Sequence, residues 1–72
     1  MSLWGSRKAR VVYRALLHIG WQLKPSKKGS SHVQLVREGW PEYTWSFGDD
    51  EELGRKILSR IAKHTGLRPE DL

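Results

Sequence analysis

A five-residue turn, Glu38-Gly39-Trp40-Pro41-Glu42, separates two stretches of alternating apolar character, residues 32–37 and Tyr43–Phe47. A parallel crossover needs a dozen or more residues, so two strands joined this closely pair antiparallel. Val33 and Leu35 share one face of the first stretch, with His32 and Gln34 on the other. Tyr43, Trp45 and Phe47 likewise share a face, opposite Thr44 and Ser46. Upstream, Trp21 to Lys24 predicts a further short strand closed by Pro25, and Ser26 to Ser31 is a Ser/Gly/Lys-rich turn. The three strands form an antiparallel meander with one apolar face to cover.

Amphipathic helices on either side of the meander can cover it. Ser6 is placed to cap a helix running to about Ile19, with Gly20 as the left-handed residue that ends it. Val12, Leu16 and Ile19 make its buried stripe; Arg7, Arg10 and Arg14 fall about 180° away. The run GDDEEL predicts the start of a second helix, with Asp49 or Asp50 as cap and four acids at the positive end of its dipole. Leu53, Ile57 and Ile61 form the expected seam, and Gly66 ends the helix with Leu67 packing behind it. The expected fold is α+β: a two-layer α-β-β-β-α sandwich with both helices on one face of the sheet. Residues 1–72 form a single domain with its core at about 6–67, and 68–72 are expected to be a loose tail.

The chain has 72 residues, so it buries only about 60% of its unfolded surface and leaves no room for an enclosed cofactor. Trp21, Tyr43, Trp45 and Phe47 are needed for the core. The absence of cysteine removes disulfides and Cys-based zinc sites and fits a reducing, cytoplasmic setting. No segment is apolar enough to span a membrane. The basic N-terminal stretch lacks the uninterrupted apolar run of a targeting peptide, because Arg14 and His18 break it.

Charge is unevenly spread. Residues 1–37 hold eight Lys/Arg and no acid, whereas residues 38–72 hold five Lys/Arg and eight acids, so the net +5 divides into +8 and −3. Such asymmetry favours a polyanionic partner on one side.

The residues best suited to chemistry cluster at the second strand's start. His32 can take or give a proton near neutral pH, which suits abstraction of a ribose 2′-hydroxyl proton or protonation of a leaving 5′-oxygen. Lys27 and Lys28 can hold a phosphate and offset charge that builds on phosphorus. Gly29, Ser30 and Ser31 present unobstructed backbone N–H groups to an anion. Each part is also ordinary in a hairpin turn, so these features alone leave a surface loop and a catalytic site both open.

The segments GWQLKPSKKGSSHVQLV and EELGRKILSRIAKHTGL resemble the HicA family of small messenger-RNA interferase toxins over about residues 7–67. The shared features are a helix ending in Gly-aromatic, a Lys-Gly-Ser-Ser-His run opening the second strand, a Glu-Leu pair and a closing Gly-Leu. The resemblance implies a fold like the double-stranded-RNA-binding domain and metal-independent endoribonuclease activity, with no cofactor. It also implies His32 as the catalytic residue and a HicB-type antitoxin as protein partner. One departure stands out: Gly48 falls about where the family often places a histidine.

Other residues have plainer readings. His18 and His64 lie near helix C-termini, where protonated imidazole suits the dipole, and neither has metal-ligand spacing to another histidine. Asp49, Asp50, Glu51 and Glu52 are consecutive, so their carboxylates diverge rather than converge on Mg²⁺. Trp40 can stack on a base, anchor a partner or fold back over the sheet edge. Lys56, Arg60 and Lys63 form a second cationic stripe. The rival functions are an RNA-binding domain without catalysis and a protein-interaction module that docks on an antitoxin-like partner. A marginal core is compatible with weak homodimerisation, although no interface stripe is evident.

Overall fold

In chain order the elements are β1 (Arg7–Lys8), α1 (Ala9–His18), β2 (Gln22–Leu23), β3 (Val33–Val36), β4 (Tyr43–Trp45), β5 (Glu52–Leu53), α2 (Arg55–Thr65) and a 3-10 turn at Pro69–Asp71. They are seen in a computed structural model that describes residues 5–24 and 33–72. β2, β3 and β4 form the expected antiparallel meander. Its register pairs Val33 with Trp45 and Leu35 with Tyr43, which puts these four side chains on one face. The opposite face is polar, and the Thr44 hydroxyl donates to Gln34 Oε1 at 2.9 Å.

The apolar face meets both helices. Leu35 and Trp45 join Val12 and Leu16 from α1 and Leu58 and Ile61 from α2 in one buried cluster, with Tyr43, Val33 and Phe47 half-buried against it. The two-layer α-β-β-β-α sandwich is therefore present. Ala9 and Ala15 extend the buried stripe of α1 and let it approach closely, while Ile19 is only half-buried.

The segments just before α1 and α2 form a pairing that local pattern does not predict. Arg7 and Lys8 pair with Leu53 and Glu52 as a second, two-stranded sheet, β1–β5. This pairing draws residues 7 and 8 into extended backbone, so α1 begins at Ala9 with Lys8 as its cap, not at Ser6. The first free N–H groups of α1 are met from across the chain: Ala9 donates to the Glu51 carbonyl at 2.7 Å and Arg10 to the Asp49 carbonyl at 3.3 Å.

The same ladder overturns the expected start of α2. Glu52 and Leu53 are extended, Gly54 is the cap, and no acid lies in the first turn. Leu53 is fully buried from β5, and the helix turns Leu58, Ile61 and Thr65 inward while Ile57 is 37% exposed. The seam is thus 58-61-65, not 53-57-61. The acids still sit by a helix N-terminus, but it is that of α1, where Asp50 lies 3.5 Å from Arg10.

Both helix ends follow the sequence expectation. Gly20 and Gly66 have positive φ, +118° and +76°, a region that costs residues with a Cβ. The Gly66 N–H donates to the Ala62 carbonyl at 2.8 Å, and Leu67 packs behind it, 3% exposed. Beyond this point residues 68–72 are not a loose tail. The Arg68 N–H donates to Asp71 Oδ2 at 2.9 Å, which closes the 3-10 turn and sets Leu72 half-buried against the core.

Three expected outcomes test this packing. Leu53→Ala should lower stability by about 2–5 kcal/mol in urea unfolding, as a buried leucine does, whereas Asp50→Asn should leave the midpoint nearly unchanged because its ion pair is exposed. Gly66→Ala should be destabilising by at least about 1 kcal/mol, since its Cβ would also lie 2.9 Å from Trp40 Cη2.

Candidate functional site

Lys27, Lys28, Gly29, Ser30, Ser31 and His32, the residues singled out for phosphate binding and proton transfer, lie outside the described residues. The described chain leaves them at Lys24 and resumes at Val33. Both flanks are held in the sheet. Lys24 donates its N–H to the Gln34 carbonyl at 2.9 Å, and its ammonium meets Glu42 Oε2 at 3.1 Å. Val33 lies opposite Trp45, which Tyr13 contacts at 5.6 Å between ring centroids and Phe47 at 5.1 Å. An aromatic cluster thus backs the residue to which His32 is bonded. Burial raises the Tyr13 pKa, and the nearby Asp49 charge adds to the shift, so this phenol stays neutral at physiological pH.

Gly48 stands in open surroundings. Its N–H donates to Glu51 Oε2 at 3.0 Å, its φ is not positive, and a Cβ added there would meet nothing within 4 Å. A side chain at this position is therefore sterically acceptable.

The cationic stripe expected on α1 is divided. Arg7 belongs to β1, Arg10 faces Asp50, and Arg14 lies by His18, Asp71 and Leu72 at a surface pocket of about 230 Å³. Lys56, Arg60 and Lys63 keep their shared face of α2 and are exposed, with no ion pair among the described residues. They are the more coherent cationic surface.

Trp40 folds back over the sheet's end. Its ring meets the buried Trp21 edge-on at 6.1 Å, reaches Gly66, and lies under the Arg37 guanidinium at 5.4 Å. Even so it remains 40% exposed. His64, expected to serve the helix end, stacks on Tyr43 at 6.1 Å with an interplanar angle of 18°. Burial raises the Tyr43 pKa. Nothing in the local sequence links Trp40 to His64; the signal that joins them is Gly66, whose missing side chain admits the indole beside the last turn of α2.

Among the described residues, no three His, Asp or Glu side chains converge on a point that could hold a metal ion, and no helix is long and apolar enough to cross a membrane. No curated protein and no solved structure matches the chain. Residues 9–67 match the family described as the HicA toxin of bacterial toxin-antitoxin systems. That span includes both helices and the whole meander, and the chain belongs to the HicA toxin family.

Proposed function

We propose that this protein is a metal-independent endoribonuclease that cuts messenger RNA in the cytoplasm, as the toxin of a HicA/HicB-type pair. The observation that carries the reading is the family match over residues 9–67, which contains the Lys-Lys-Gly-Ser-Ser-His run. Membership in a toxin-antitoxin family entails a cognate antitoxin; the proposed partner is a HicB-like protein that covers the Lys27–His32 run.

In the proposed reaction His32 takes the proton of a ribose 2′-hydroxyl, and the 2′-oxygen attacks the adjacent phosphorus. The P–O2′ bond forms as the P–O5′ bond breaks, leaving a 2′,3′-cyclic phosphate and a 5′-hydroxyl once the leaving oxygen gains a proton. That proton comes from His32 itself, a lysine or water. Lys27 and Lys28 offset the charge on the pentacoordinate phosphorus, and the amides of Gly29, Ser30 and Ser31 shape the approach of the phosphate. No step uses a metal.

A second reading, RNA binding without cleavage, is favoured by one observation. Gly48 replaces the histidine often found there in the family although its surroundings would accept a side chain, so steric exclusion does not account for the replacement. Incubation of the purified protein with messenger RNA in excess EDTA, beside folded His32→Ala, separates the two. The nuclease reading expects cleavage by the wild type and a loss of at least about 100-fold in the variant. RNA binding with no cleavage by either protein would establish the second reading.

A further inference from the structure

At the far end of β3 from Val33, the side chains of Trp40, Pro41, Glu42, Tyr43, Lys63 and His64 line a notch of about 170 Å³. Its parts are unusual for a surface this small. Trp40 is held from three directions, by Trp21, Arg37 and Gly66, yet leaves 40% of its surface open. His64 is stacked parallel on Tyr43, so a second aromatic surface is fixed beside the first. Fixing the rings in advance lowers the ordering cost that a flexible aromatic side chain would add on binding.

The charges at the notch favour an anion. Lys63 lines it, and Arg60 and Lys56 continue the same helix face away from it, exposed and without ion pairs among the described residues. Glu42, the acid in the lining, already meets the Lys24 ammonium at 3.1 Å, so its charge is partly offset. Aromatic platforms followed by a line of cations are how proteins hold single-stranded nucleic acid: bases stack on the rings and phosphates track the cations. A protein partner would also be served by an exposed tryptophan, but it gives no reason for three consecutive unpaired cations on the adjoining face.

We infer that the Trp40–His64 notch is a second RNA site, which seats one unpaired base against the two rings while Lys63, Arg60 and Lys56 hold the phosphates that follow. The inference rests on RNA being the ligand of the proposed function, but not on cleavage. The notch begins at Tyr43, which pairs with Leu35 about 7 Å along β3 from Val33 at a strand rise of about 3.3 Å per residue, and extends away from Val33, so it engages nucleotides other than the one at the scissile bond. It therefore acts on RNA affinity and on the choice of unpaired regions, leaving the chemical step to His32.

The test is anisotropy of a short fluorescein-labelled single-stranded RNA titrated with His32→Ala protein, so that cleavage does not intrude. Added Trp40→Ala should weaken binding by about tenfold or more. Since Trp40 also packs on Trp21, the exposed changes His64→Ala and Lys63→Ala supply arms that leave the core intact. His64→Ala should weaken binding severalfold, and Lys63→Ala should lower the slope of log affinity against log salt by about 0.7. In the His32 background of a cutting enzyme, these changes should raise KM with kcat kept. Unchanged affinity and salt slope in the His64 and Lys63 variants would overturn the site, and would assign the notch to a protein contact if antitoxin binding fell instead. Absence of RNA binding would overturn it as well. Binding that depends on Trp40, His64 and Lys63 in a protein that never cuts RNA would sustain the site and remove the nuclease reading.

Discussion

The indole of Trp21 is the constraint on which the rest of the fold depends. It follows Gly20 directly, is 1% exposed, and donates from Nε1 to the Thr65 carbonyl at 3.1 Å. One residue thereby joins the end of α1, the start of the sheet and the last turn of α2. Thr65 is itself fully buried; its hydroxyl donates to the Ile61 carbonyl at 2.7 Å and accepts from the Leu67 N–H at 3.3 Å. Each buried polar group in this junction has a partner, which matters because an unmet one costs about 1–3 kcal/mol. A domain of this size has little stability in reserve against such a loss.

From that junction the notch follows. With Trp21 fixed beneath it, the turn after β3 can lay Trp40 against Gly66, and the absence of a side chain at Gly66 lets the indole come within contact of the helix end. Tyr43, next along β4, meets Trp21 at 6.5 Å and presents its ring to His64. The exposed aromatics are therefore an extension of the core rather than a separate surface.

What the sequence disclosed follows the range of the interactions. The ends of the helices at Gly20 and Gly66 depend on neighbours within a few residues, and alternation in Val33–Val36 and Tyr43–Trp45 gives the sheet its faces; both are visible locally. The start of α2 is not visible locally, because Leu53-Ile57-Ile61 and Leu58-Ile61-Thr65 both fit a 3.6-residue period. What separates them is a two-residue ladder between Arg7–Lys8 and Glu52–Leu53, a pairing across more than forty residues with no local signature. For the same reason the acids 49–52 do not cap α2; the backbone carbonyls of Asp49 and Glu51 instead meet the first N–H groups of α1. As for the candidate site, the Lys27–His32 run is a sequence motif outside the described residues, while the pairing of Trp40 with His64 depends on tertiary packing and has no local signature.

The proposed centre of this tryptophan-held scaffold is His32, with the substrate's own 2′-hydroxyl as nucleophile. Substitution of a single 2′-deoxynucleotide at a mapped cleavage position tests this most directly. Cutting should stop at that bond while neighbouring sites are still cut, because the attacking oxygen has been removed. Continued cleavage at the 2′-deoxy position would contradict it, since the nucleophile would then have to be water.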